Sequence, residues 1–302
     1  MPIAVEFGAV SGLSSQAACM IALRFDADTG FQPSEHESFV CQKYDGKTLT
    51  RYGGSGWYTD CWYSPTHKVW VVDSRGEMLY FDDFRNAQAA PQVTTLDASL
   101  MGIWGVDDGY IFAWGDTPTG GRMFLFQQGA WREIASPGKG VLALHGLSRD
   151  MVYAVGVGGM ISKWDGTRWV PQSSPTGTNL SSVFVVSPDE MYAVGPGRRF
   201  LEGSVHGWVE AIEANVPLSA VVKWKDEIYV GAGPAGTFKR QGPQLVDWKP
   251  KITATKIDAR QDFVASAIKH LICSDDPQKF TGVSDAPQVL RILESRIPAW
   301  LK

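Results

Sequence analysis

The most constraining feature of this 302-residue sequence is a pattern that recurs about every forty residues. In one copy, VYAVGVGGMISKWDGTRW at 152–169, large and small residues alternate, a glycine cluster interrupts them, and a second run ends at Asp-Gly. The aromatic that opens each copy recurs at steps of 42, 41, 39, 37 and 34 residues: Trp70, Phe112, Tyr153, Tyr192, Tyr229 and, more weakly, Phe263. A period of this length is typical of solenoids and propellers. Alternation with a period of two predicts strands rather than helices within each copy.

Each copy accommodates four short strands. An apolar run such as GVLALHGL comes first, a short acidic turn follows, and the aromatic-led strand and two further runs complete the unit. Four antiparallel strands in about 40 to 45 residues form one blade of a β-propeller. We therefore predict an all-β fold, a seven-bladed β-propeller of four-stranded antiparallel blades that spans residues 1–302 as a single domain. Six blades and a terminal helix or tail are the alternative, and whether an N-terminal strand completes the last blade stays open.

The repeat VYAVG…G…WDGT.W resembles the loose kelch-like or WD40-like propeller repeat of bacterial proteins of unassigned function. The resemblance covers roughly residues 55 to 250, and the Gly-His and Trp-Asp positions of WD40 repeats are absent at their expected places. It implies a fold and not an activity. The tryptophans are expected to fill the core between blades, as Trp164, Trp169 and Trp208 would at their strand positions.

Composition narrows the function classes. The sequence has no apolar run of 18 residues and no secretory signal at its start. We therefore predict a cytoplasmic protein, or one exported by a route that needs no such signal, without a membrane partner. Four cysteines without a C-x-x-C pair are expected to be buried thiols. A pI of about 5.8, without a basic stripe, argues against nucleic acid as a partner. Because a closed propeller hides its sheet edges, a monomer is expected.

No motif predicts catalysis or a cofactor. The five histidines lack metal-ligand spacing, so neither a metal nor another cofactor is predicted. The glycine clusters GVGGM, GPGRR and GAGPAG are not followed by a helix pattern and are interpreted as turns. In SKWDGTRW, the serine, aspartate and threonine do not have the spacing of the Asp-box of sialidase-type propellers, so a glycosidase is not predicted. Whether the protein is an enzyme stays uncertain, with a non-enzymatic role favoured and no catalytic residue assigned.

Acidic turns are the feature that points to function. In a propeller, every turn between the first and second strands lies on one rim. These turns supply the predicted partner-binding residues: Asp107, Asp108, Asp150, Asp189, Glu190, Asp226 and Glu227. The opposite rim is expected to be more basic through Arg75, Arg122, Lys139, Arg198 and Arg199, and with Asp116 and His145 it supplies an alternative site. Acidic side chains also suit tight turns for purely local reasons.

Two functions follow from these patterns. The first is a binding protein that recognises a protein partner through one propeller face, either an immunity protein that neutralises a basic bacterial toxin or effector or an assembly scaffold. The alternative is a lyase, a hydrolase or a sugar-binding enzyme with its site at the mouth of the central channel. The strand GVLALHGL could point His145 into that channel, although a histidine satisfied in or near the core is the favoured interpretation.

Overall fold

The computed structural model describes residues 3–30, 37–44, 47–86, 88–138, 140–249, 251–267, 270–279 and 282–285. These residues form seven four-stranded antiparallel sheets, which confirms the predicted seven-bladed β-propeller and makes the six-bladed alternative wrong. The only helices among them are two three-residue 3-10 turns, Val157–Gly159 and Gly233–Ala235. The chain falls into two compact units, the first made of residues 1–97 and 258–302 and the second of residues 98–257.

The first unit contains sheets 1, 2 and 7, numbered in chain order. Sheet 1 consists of β1 (Ile3–Ser14), β2 (Ala17–Asp26), β3 (Glu37–Tyr44) and β4 (Lys47–Ser55). Sheet 2 consists of β5 (Tyr58–Tyr63), β6 (Val69–Asp73), β7 (Glu77–Phe81) and β8 (Gln92–Thr95). Sheet 7 consists of β25 (Lys256–Ala259), β26 (Phe263–Ala267), β27 (His270–Ser274) and β28 (Gly282–Asp285), and the unit boundary falls within β25.

The second unit contains sheets 3 to 6. Sheet 3 consists of β9 (Ser99–Asp107), β10 (Tyr110–Thr117), β11 (Gly120–Gln127) and β12 (Ala130–Ile134). Sheet 4 consists of β13 (Val141–Ser148), β14 (Met151–Gly156), β15 (Ile161–Trp164) and β16 (Trp169–Pro171). Sheet 5 consists of β17 (Ser182–Ser187), β18 (Glu190–Val194), β19 (Arg199–Ser204) and β20 (Gly207–Glu213). Sheet 6 consists of β21 (Ala220–Trp224), β22 (Glu227–Gly231), β23 (Thr237–Gln241) and β24 (Gln244–Lys249).

The apolar core lies between consecutive sheets. Phe112 of β10 packs against Trp164 and Trp169 of the next sheet, with ring centroids 5.7 Å apart in both pairs. The Trp164 indole Nε1–H donates to the Tyr110 hydroxyl at 2.9 Å, so its polar edge is satisfied inside the core. These contacts confirm that tryptophans of the repeat fill the space between sheets.

All four cysteines are also buried free thiols, as expected. Burial raises the pKa of Cys41 to about 12 and that of Cys273 to about 11. A thiol that stays protonated is a poor nucleophile, so these side chains act as small core residues.

Glycine recurs after the second strand because another backbone segment passes directly over it. A Cβ at Gly195 would lie 2.8 Å from the Asn179 carbonyl carbon and 2.9 Å from the Leu180 Cα. Gly156 approaches the backbone of Gly140 in the same way, one repeat earlier. The glycine clusters are therefore turns, as the sequence predicted. In addition, they allow another backbone segment to cross closely over them.

Among the described residues, sheet 7 meets sheet 1 without exchanging a strand with it, since all four of its strands come from residues 256–285. The Asp258 carboxylate accepts hydrogen bonds from the Ser11 hydroxyl at 2.9 Å and from the Gly12 backbone N–H at 3.0 Å. Arg260 donates to the Tyr63 carbonyl at 2.6 Å and to Asp258 Oδ2 at 2.7 Å. This latch, made of Ser11, Tyr63, Asp258 and Arg260, joins sheets 7, 1 and 2.

Candidate partner-binding surface

The turns between the first and second strands of sheets 3 to 6 lie in the second unit, and together we call them the first-turn surface. They comprise residues 107–109, 149–150, 188–189 and 225–226. Neighbouring turns are connected directly, because the Arg149 guanidinium donates to both carboxylate oxygens of Asp107 at 2.9 Å. The four turns thus lie between the first and second strands as predicted, and those of sheets 3 and 4 are in direct contact.

Local turn chemistry explains part of the acidic character. Asp107 Oδ1 accepts a hydrogen bond from the Gly109 backbone N–H at 2.8 Å. Lys225 and Asp226 have φ angles of 48° and 62°, the geometry of a two-residue hairpin turn in which an aspartate is tolerated. Asp107 and Asp226 therefore have a structural role, whatever else they bind.

Two of the predicted binding carboxylates are engaged by neighbouring side chains. Glu190 accepts from Lys223 Nζ at 2.8 Å and from the Tyr192 hydroxyl at 2.8 Å, which ties sheet 5 to sheet 6. Glu227 forms an ion pair with Lys239 of its own sheet. Both carboxylates are partly satisfied within the protein, so a partner would have to compete for them.

Three carboxylates of the first-turn surface remain exposed without such a counterion. Within the described part of the chain, none of Asp150, Asp189 and Asp226 forms an ion pair, whereas Asp107 is paired with Arg149. The Ser148 hydroxyl donates to Asp150 and lowers the pKa of that carboxyl. Asp108 is half-buried beside them. The surface therefore presents exposed carboxylates in three successive turns, and in the last of them the exposed Lys225 lies beside Asp226.

The Glu190 network predicts a loss of stability in acid. Burial alone would raise the pKa of Glu190, but hydrogen bonds from Lys223 and Tyr192 outweigh it, and the pKa lies below its ordinary value of 4.5. A depressed carboxyl pKa contributes stability above the unfolded value, and this contribution is lost as the pH falls through the folded value. We expect the unfolding free energy of Glu190→Gln to fall less than that of the wild type below pH 4.5, measured by urea denaturation at stepped pH. Equal pH dependence of the two proteins would contradict this.

The residues of the predicted basic rim are mostly neutralised. Arg75 pairs with the fully buried Asp73 at 2.8 Å, and Arg122 pairs with Glu133 at 2.5 Å. Arg199 lies 2.7 Å from Glu210 and 3.1 Å from Glu213. Each of these three arginines therefore has an acidic neighbour, and the more basic rim stays a prediction.

The remaining residues of the alternative site do not converge on a cluster. Arg198 is exposed with a φ of 64°, and Asp116 is exposed and accepts a hydrogen bond from the Gly140 N–H at 3.5 Å. Lys139 lies outside the described residues. His145 packs between sheets 3 and 5, and its Nδ1 accepts the Val185 backbone N–H at 3.0 Å. Its ring is held by packing and by this hydrogen bond.

Sequence reasoning missed an aromatic contact between three first strands. The His145 ring stacks on Phe184 of β17 with centroids 4.4 Å apart, and Trp104 of β9 lies 5.6 Å away on its other side. All three side chains are half-buried. The spacing of 41 and 39 residues between them equals the repeat period, which is the signal that could have revealed them.

The described residues give no sign of a metal centre or a membrane span. No group of three or more His, Cys, Asp or Glu side chains among them could hold a metal ion. No helix in the described part of the chain is sufficiently long and apolar to cross a membrane.

Comparison with known proteins places the fold and gives one lead to function. No protein-family model matches the chain. A segment of 92 residues is 30% identical to the immune protein Tsi7 of Pseudomonas aeruginosa, and it spans 28% of this chain and 30% of that protein. The WD40 β-propeller domain of Doa1 superposes with a TM-score of 0.69 at 10% identity, over 93% of this chain and 97% of the domain. YCF48 bound to D1 peptide superposes with a TM-score of 0.66 at 14% identity, over 91% and 93%. At such low identity the two structural likenesses show that the chain is a β-propeller and nothing more specific.

Proposed function

We propose that this chain is a binding protein that recognises a protein partner through the first-turn surface, and more specifically an immunity protein that neutralises a cognate basic toxin. The segment shared with the immune protein Tsi7 carries the specific proposal, although it spans less than a third of either protein. The YCF48 structure, with its bound peptide, shows that a protein of this fold binds a polypeptide. A role as an assembly scaffold would use the same surface.

Electrostatics supplies the mechanism. Asp150, Asp189 and Asp226 present exposed carboxylates in consecutive turns, so their fields add over a short distance. Such a surface accelerates the encounter with a basic partner and orients it before close contact is made. A rigid β-sheet scaffold then occludes the partner's functional surface without rearrangement of its own backbone. The rate of association with the partner is therefore expected to be higher at low salt.

The enzymatic alternative has less support. His145 and Arg199, two of its candidate residues, are engaged in packing and ion pairs, and no observation favours a lyase, a hydrolase or a sugar-binding enzyme. The single domain, the monomeric state and the cytoplasmic location stay predictions.

Charge reversal of the exposed carboxylates tests the proposal. We expect a variant with Asp150→Lys, Asp189→Lys and Asp226→Asn to associate with a basic partner at least about tenfold more slowly at low salt, because attraction becomes repulsion. Asn is chosen at position 226 because it tolerates the positive φ found there. The measurement is surface plasmon resonance with the partner recovered by tagged purification from the native host.

The matched control is Asp247→Lys, which alters an exposed acid on the outer strand β24. We expect this variant to bind as the wild type does and all variants to melt at nearly the same temperature. Retention of no protein by the wild type at low salt would refute the binding function. Association rates that are unchanged by the triple substitution would refute the acidic first-turn surface.

A further inference from the structure

The first strands of sheets 3, 4 and 5 carry a continuous row of rings at one level. Within each sheet, the ring residue of the first strand is the cross-strand partner of the aromatic that opens the repeat in the second strand. The pairs are Trp104 with Phe112, His145 with Tyr153, and Phe184 with Tyr192. The two ring contacts described above make the row continuous from β9 to β17. Each ring of the row is half-buried, so part of its surface faces solvent.

A β-bulge extends this row toward the first turns in each of the three strands. The register shifts by one residue just before the turn and leaves one apolar residue without a cross-strand partner: Val106 in β9, Leu147 in β13 and Val186 in β17. Bulges re-aim a side chain and are found beside functional sites. Each bulged residue follows its ring residue by two positions.

Among the bulged residues, Leu147 adds exposed apolar surface, with 43% of the residue exposed. Val106 and Val186 are half-buried, and they also pack against the apolar cores of sheets 3 and 4 and of sheets 5 and 6, respectively. We call the three rings and the three bulged residues the apolar patch. A contiguous exposed apolar area bordered by polar residues is typical of an interaction site.

Charge at the border of the apolar patch indicates what covers it. Asp150 lies three residues beyond Leu147, and Asp189 lies three residues beyond Val186, and both carboxylates are exposed and outside any ion pair among the described residues. A segment that buries an apolar side chain between these turns must bring its flanking residues close to the two carboxylates. Lysine or arginine at the flanking positions satisfies them, whereas acidic flanks would be repelled.

We propose that the apolar patch anchors an aromatic or branched apolar side chain of the protein partner, held in a segment with lysine or arginine on both sides. The inference rests on the proposed function and adds the contact that supplies affinity, because charge mainly sets the association rate whereas a buried apolar anchor slows dissociation. Leu147 is the central contact, since it is the most exposed residue of the patch.

A peptide probe tests the proposal without knowledge of the partner. The probe is a fluorescein-labelled peptide of sequence KKGLWGKK, titrated with the full chain and followed by fluorescence anisotropy at low salt. Its two comparators are KKGSSGKK, which lacks the anchor, and EEGLWGEE, which reverses the flanks. We expect the first peptide to bind at least about fivefold more tightly than either comparator.

Leu147→Ser and Val209→Ser form a matched pair of variants. Both residues are exposed aliphatics of the second unit, and Val209, at 60% exposure, lies on the outer strand β20, away from the apolar patch. We expect Leu147→Ser to weaken binding of KKGLWGKK at least about fivefold and Val209→Ser to leave it unchanged, with near-equal melting temperatures.

Two results would overturn the proposal. One is no detectable binding of KKGLWGKK at millimolar protein, and the other is an equal response of both variants. The natural partner separates this inference from the proposed function. A partner retained equally by the wild type and by Leu147→Ser contradicts the apolar patch but leaves the binding function standing. A wild type that retains no partner contradicts the binding function itself.

Discussion

Alanine at Gly195 is expected to destabilise the protein by about 3 kcal/mol or more, because the new methyl group meets backbone and not a movable side chain. The atoms in its way belong to Asn179 and Leu180, at the entrance to β17. That segment has little freedom to retreat, since Leu180 is fully buried and its N–H donates to the Gly156 carbonyl at 3.0 Å. Urea denaturation followed by tryptophan fluorescence measures the loss.

Gly177→Ala provides the control, in the loop between β16 and β17 that carries Asn179 and Leu180. A Cβ at Gly177 would meet nothing within 4 Å, and its φ lies outside the left-handed region. We expect a change of no more than about 1 kcal/mol, with a slight gain from the reduced entropy of the unfolded chain. Similar midpoints for the two variants would show that the crossing at Gly195 adapts and that the glycine is not required.

Replacing Arg260 with methionine is the second change expected to have a large effect. The guanidinium bonds to the Tyr63 carbonyl and to the Ser11 hydroxyl at 3.0 Å, in addition to Asp258. Its removal takes away the counterion that the partly buried Asp258 carboxylate has among the described residues, together with the hydrogen bond that the guanidinium donates to the Tyr63 carbonyl. We expect a loss of about 2 kcal/mol in the unfolding free energy, measured by urea denaturation.

A methionine substitution at Arg168 isolates the effect of the latch from that of losing an arginine. Arg168 is 80% exposed, and its guanidinium lies 3.7 Å from Asp165. A pair so exposed contributes at most about 1 kcal/mol, and we expect no more than that from Arg168→Met. If Arg260→Met were as mild, the latch would not hold sheets 7, 1 and 2 together.

The fold could be predicted because its determinants are local and repeated. Alternation of period two in each copy predicts the strands, and short Asp-containing sequences predict the first turns, so the four turns of the second unit lie where expected. The glycine at the end of the second strand in sheets 3 to 6 is also local in sequence. The cause of that glycine, a crossing by the segment that enters the first strand, appears only in three dimensions.

The site was harder to predict because its contacts join different repeats. The pairing of Asp107 with Arg149 spans 42 residues, and that of His145 with the Val185 N–H spans 40. Which side chains meet at such distances depends on how the sheets pack, which alternation does not specify. The bulges at Val106 and Leu147 are a second cause, since one extra residue shifts the phase of the pattern and hides an exposed apolar position.

One cross-strand ion pair, by contrast, could have been predicted from the sequence. Arg199 and Glu210 lie only 11 residues apart on the adjacent strands β19 and β20. Opposite charges on neighbouring strands of a hairpin are expected to pair, so the acidic partner of Arg199 could have been predicted from the sequence itself.

The absence of a shared strand between sheets 1 and 7 has a mechanical consequence. An exchanged strand would resist tension through a whole ladder of backbone hydrogen bonds loaded in shear. Among the described residues the junction instead consists of an apolar seam, side-chain bonds such as Ser266 to the Phe7 carbonyl at 2.7 Å, and a backbone hydrogen bond from the Gln261 N–H to the Leu13 carbonyl at 3.0 Å. Under a stretching force, sheet 7 therefore separates from sheet 1 before either sheet unravels. The first rupture in an optical-tweezers trace is expected to be this separation, at a force below that of the later events.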